Sequence, residues 1–158
     1  MKNRYAHHDT HIDAPVHFVN NPNTIEVPSP DKRTTEELTG KDLMGPVVLI
    51  DISRRVQSEL DKNGGQPSPD TNMTDFSDAS GNVVTAADSD AVAEQLTNGT
   101  WLMVHTGWEQ FCWESGPGLK GLYINGFNFP GISKAAVDRL IEIEHQKGIR
   151  IHGQNRVL

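Results

Sequence analysis

GPVVLIDIS, residues 45–53, carries an apolar run from Val47 to Ile52 that is short and rich in branched side chains. That combination predicts a strand buried on both faces, the form strands take in a parallel sheet covered by helices. A strand of this kind requires parallel partners and crossover helices, and the chain on either side supplies both.

Downstream, VVTAADSDAVAEQL predicts a helix from about Ala86, capped by Thr85, with Asp88 in the first turn where the helix dipole favours negative charge. TWLMVHTGW follows a Thr-Asn-Gly turn, and its Trp101–Val104 stretch reads as a second buried strand. Ser133 caps a longer helix, KAAVDRLIEIEHQKG, with apolar residues at Val137, Leu140, Ile141 and Ile143 and Gly148 as its stop. A third strand begins at IRIHG. Upstream, NNPNTIEVPSPDKRTTEEL reads as a loop entering a short helical turn near Thr35–Leu38. The order strand, helix, strand, helix, strand predicts an α/β domain with a central β-sheet flanked by helices. Between the first strand and the first long helix, Gln57–Asn82 is dense in Gly, Pro, Ser, Asn and Asp, and predicts an exposed, weakly ordered insertion.

The chain has 158 residues, enough for one compact domain spanning 1–158 and too few for two ordinary ones. With 35% hydrophobic residues and no apolar run of membrane-span length, it reads as a polar, soluble, cytoplasmic protein without membrane contact. The single cysteine, Cys112, excludes an intramolecular disulfide and fits a reducing compartment. A net charge of -7 argues against nucleic acid as a partner, because phosphate binding needs clustered Lys and Arg.

HHDTHIDAPVHF, residues 7–18, places four histidines and two aspartates in twelve residues. Terminal tags are unbroken histidine runs, whereas here Ile12, Ala14, Pro15, Val16 and Phe18 are interspersed. His7, His11 and Asp13 offer imidazole nitrogens and a carboxylate, donors that suit Zn2+ or Mn2+. Pro15 argues against one helix through the cluster, so alternate residues of an extended backbone would share a face. By spacing alone, a metal site and a solvated polar segment both remain open.

The same stretch resembles the metal motif of the cyclase family, which includes kynurenine formamidases (arylformamidases) and isatin hydrolases and is written H-x-G-T-H-x-D-x-P-x-H. Every named position is matched except the glycine, which is Asp9. The similarity continues through GPVVLID, the TGW of Thr106–Trp108 and the PGIS of Pro130–Ser133, in the family's order. It implies a swivelling β/β/α-like domain and a metal-dependent amidohydrolase acting on a small aryl formamide or cyclic amide. His7, His11 and Asp13 would be metal ligands for Zn2+ or Mn2+, His17 the catalytic acid or base, and the active form a homo-oligomer. For His17 the plainer alternative is a rim histidine packed on Phe18.

Relatives usually carry more chain before the motif and continue past this C-terminus, with a further histidine and acidic residue, so the domain is expected to be truncated at both ends. The competing functional expectation is therefore a non-catalytic remnant that retains only metal binding. Elsewhere, Trp108 and Trp113 are candidates for an aromatic pocket or for core. His105 stands where relatives tend to carry arginine, and reads as a polar contact or a surface residue. Cys112 is expected to be a buried inert thiol and His145 to be solvated. The glycine-rich GPGLKG lacks a phosphate-binding pattern.

Overall fold

The computed structural model describes residues 33–67, 81–111 and 128–153. The chain divides into two compact units, Met1–Met44 and Gly45–Leu158. In the first, the described residues form a 3-10 turn at Thr35–Glu37 and one α-helical turn, α1, at Gly40–Leu43. Asp42 organises this piece. Its carboxylate accepts from the Thr39 N–H at 2.8 Å and from Arg33 Nη1 at 2.6 Å. Those bonds, led by the one from the Thr39 hydroxyl, hold the carboxyl far below the usual carboxylate range.

The second unit contains β1 (Val47–Asp51), α2 (Ser53–Asp61), β2 (Val83–Val84), α3 (Ala86–Val92), β3 (Thr100–His105), β4 (Gly131–Ile132), α4 (Lys134–Lys147) and β5 (Ile151–Gly153). A three-stranded sheet runs β1-β3-β5, parallel throughout, and β2 and β4 form a separate parallel pair. This is the α/β architecture expected from the alternation of elements, with parallel strands flanked by helices.

The helix boundaries follow from their caps. Thr85 Oγ1 accepts from the Asp88 N–H at 3.3 Å while the Thr85 N–H donates to Asp88 Oδ2 at 2.8 Å, a reciprocal box that starts α3. Ser133 Oγ accepts from the Ala136 N–H at 3.0 Å at the start of α4, and Gly148, at φ +63°, ends it. Helices α3 and α4 pack against each other. Ser89 and Ala136, both fully buried, let their backbones approach, and the Ser89 hydroxyl donates to the Ala136 carbonyl at 3.3 Å. At the far end Lys147 Nζ donates to the carbonyls of Ala93 and Leu96, at 2.8 and 3.0 Å.

The core gathers Val48, Ile50, Leu102 and Val104 from the sheet with Val56 and Leu60 of α2 and Ile143 of α4. Two expectations need correction. β1 is not buried on both faces: Val48 and Ile50 point inward, while Val47 and Leu49 are 61% and 53% exposed. A pleated strand sends alternate side chains to opposite faces, and only one face of β1 meets the core. The stretch 57–82 also does not begin as an excursion. Helix α2 runs through Asp61 and places Leu60 in the core, while Asn82 at the other end is buried as well. Residues 68–80 lie outside the described residues.

The β2–β4 pair was not anticipated. Two residues carry too little pattern to read, and the pairing joins segments far apart in sequence: Val83 opposes Gly131 and Val84 opposes Ile132. The Ser133 N–H extends it by donating to the Val84 carbonyl at 3.0 Å, so the cap residue of α4 is set by this ladder.

Candidate functional site

The ligand candidates His7, His11 and Asp13, and the acid–base candidate His17, lie outside the described residues, as do Cys112, Trp113 and the glycine-rich stretch 116–121. Among the described residues no group of three or more His, Cys, Asp or Glu side chains could hold a metal ion. The chemistry-bearing cluster that is described sits at the carboxyl ends of β1 and β3, the edge at which open parallel sheets take ligands.

Register builds this cluster. Asp51 and His105 are the last residues of adjacent parallel strands and are paired with each other. After His105 the chain turns through Thr106 and Gly107 into a 3-10 turn, Trp108–Phe111. Gly107 sits at φ +73°, and a Cβ there would lie 3.0 Å from Ser53 Cβ, so glycine serves both the backbone conformation and the close approach of α2. The Trp108 N–H donates to Thr106 Oγ1 at 3.2 Å.

That turn brings Glu109 back over the end of β3. His105 Nε2 lies 2.9 Å from Glu109 Oε1, and Nδ1 lies 3.3 Å from Asp51 Oδ1. Ionised carboxylates only accept, so satisfying both requires a proton on each ring nitrogen, the imidazolium form. Its hydrogen bond to Glu109 accordingly raises the His105 pKa, burial opposes the rise, and Asp51 adds to it. Asp51 is held below its ordinary value chiefly by the hydroxyl and N–H of Ser53, the N–H donating at 2.9 Å, with a smaller contribution from His105. The cluster is half open to solvent and carries one net negative charge when His105 is protonated. In its protonated form, with both nitrogens engaged, His105 is a bridge between carboxylates.

The other candidates divide clearly. Trp108 is core: it is fully buried and meets Phe111 edge to face, with centroids 5.0 Å apart. His145 is exposed on α4, as expected of a solvated residue. His105 is a polar contact, and its partner Asp51 was missed because register between distant strands leaves no local trace. The spacing of His105 and Glu109, four residues apart, was the one signal in the sequence.

The sequence matches a family described as "Putative cyclase" over residues 3–154. The chain belongs to the cyclase family. No curated protein and no solved structure is matched. The family match takes in the histidine motif at residues 7–17 and every strand and helix of the second unit. No helix among the described residues of this cyclase-family chain is long and apolar enough to cross a membrane.

Proposed function

We propose that this cyclase-family protein is a metal-dependent amidohydrolase that hydrolyses a small aryl formamide or cyclic amide. The observation that carries the reading is the run from His7 to His17, which keeps every named position of the family's metal motif but one, inside a family match covering residues 3–154. Two imidazoles and a carboxylate, from His7, His11 and Asp13, make a donor set suited to Zn2+ or Mn2+. A divalent ion bound there supplies carbonyl polarisation and acidified water near neutral pH. His17, left off the ion, takes the proton from the attacking water and delivers it to the leaving nitrogen, a task suited to a group that titrates near neutrality.

One residue favours a second reading, metal binding without turnover. Asp9 replaces the motif's glycine, which tolerates left-handed backbone that most residues resist. Aspartate visits that region more readily than most residues but less readily than glycine.

Metal analysis of the purified full chain, paired with hydrolysis of an N-formyl aryl amine, separates the readings. The hydrolase reading expects one equivalent of Zn2+ or Mn2+, lost in His11→Ala, and turnover lost in His17→Ala with metal retained. Metal retained by the wild type without turnover supports the second reading. Wild-type protein that holds no metal in equilibrium dialysis defeats both.

A further inference from the structure

We propose that His105 is a proton-operated latch that ties the Asp51 carboxylate at the carboxyl edge of the sheet and releases it when the imidazolium is neutralised. The inference is independent of the metal chemistry above, since it concerns only β1, the start of α2, β3 and the turn that follows β3.

Three geometric facts carry it. The bridge joins separate pieces of the fold: His105 ends β3, Asp51 ends β1, and Glu109 lies beyond the turn at Gly107. Among the described residues, the charged groups facing His105 are Asp51 from β1, on Nδ1, and Glu109 from the 3-10 turn, on Nε2. The two contacts are also unequal. The Nε2 contact with Glu109, at 2.9 Å, is a well-formed hydrogen bond, whereas the Nδ1 contact with Asp51, at 3.3 Å, is a looser ionic approach.

Unequal contacts dictate which one survives loss of a proton. Neutral imidazole keeps one N–H, and the better hydrogen bond retains it, so the proton stays on Nε2 and Nδ1 presents a lone pair. That lone pair then faces the Asp51 carboxylate, and attraction becomes repulsion. Asp51 stays anchored and ionised through Ser53, so neutralising His105 changes the partner of Asp51 and not its charge. The outcome is an Asp51 Oδ1 that keeps its imidazolium partner below the His105 titration and loses it above. Because the contacts raise the His105 pKa, the switch acts at a higher pH than that of a solvated histidine.

The test is a pH titration of the full chain carrying 15N-labelled histidine, with the His105 signals assigned by their loss in His105→Gln. The proposal expects both ring nitrogens protonated at low pH and, after titration, an Nε2-protonated tautomer. Glu109→Gln should lower the midpoint more than Asp51→Asn does. An Nδ1-protonated tautomer, a midpoint no higher than the ordinary histidine value of about 6.5, or a midpoint unmoved by Glu109→Gln would each overturn it. If Glu109→Gln or Asp51→Asn fails to fold, the wild-type tautomer and midpoint still decide the proposal, since they need only the His105→Gln assignment.

Discussion

Arg55 and Asp88, separated by 33 residues in sequence, meet as a forked ion pair: Nη1 donates to Oδ1 at 2.8 Å and Nη2 to Oδ2 at 2.6 Å. The same Nη2 also donates to the Val83 carbonyl at 3.0 Å. One guanidinium on α2 therefore holds both the residue that completes the α3 cap and the backbone of β2.

Replacing Arg55 by alanine should destabilise the fold by about 1–2 kcal/mol, a value discounted from that of a buried charged hydrogen bond because the side chain is 41% exposed. Arg55→Lys should recover less than half of the loss, since an ammonium cannot match the planar fork. Urea denaturation midpoints at neutral pH measure both, and equal stability in Arg55→Lys and wild type would contradict the role given to the fork.

Asp88 links this pair to pH. Burial alone would raise its pKa, but hydrogen bonds from Arg55 and Thr85 outweigh burial and lower it. A folded pKa below the unfolded value, about 3.9, means stability that is fully present above that value and lost as pH falls through the folded pKa. The stability gap between wild type and Asp88→Asn should therefore be widest at neutral pH and shrink below about pH 4. Denaturation curves taken across that range should converge on the acid side, and a constant gap would rule the mechanism out.

Leu60 and Leu49 make a matched comparison. Leu60, on the inner face of α2, is fully buried, whereas Leu49 is 53% exposed on β1. Leu60→Ala should cost about 2–5 kcal/mol through lost burial and the cavity left behind. Leu49→Ala should cost less than about 1 kcal/mol. Thermal melts of the two variants check the assignment of α2 to the core, and similar losses would refute it.

Gly45 sits where β1 approaches the turn before β3, and a Cβ there would lie 2.0 Å from the Gly99 carbonyl oxygen, a backbone atom with no freedom to swing aside. Gly45→Ala should destabilise by about 1–3 kcal/mol, as overpacking against an ordered neighbour does. Gly64→Ala is a control for left-handed backbone alone, since Gly64 has φ +91° and open space around it. Calorimetry should find the Gly45 variant less stable than the Gly64 variant.

Local chemistry was legible in the sequence wherever one segment contains both halves of an interaction. Thr85 with Asp88, Ser133 with Ala136 and the Gly148 stop are satisfied within a single turn of helix, and each was found where the residue pattern put it. The alternation of apolar strands and helices likewise sufficed for the α/β class, because burial periodicity is a property of contiguous residues. Family membership also came from local signal: the ordered motifs around His7–His17, Val47–Asp51 and Thr106–Trp108.

Tertiary structure decided what depends on residues far apart in the chain. Val47 and Leu49 look as apolar as Val48 and Ile50, yet only the second pair is buried, because the side of β1 that meets the core is chosen by the elements packed on it. The β2–β4 ladder, the Arg55 fork on Asp88 and the placing of Asp51 beside His105 arise from register and crossover packing. A hydrogen bond between strands is set by the relative position of two backbones, and no local residue preference encodes that position.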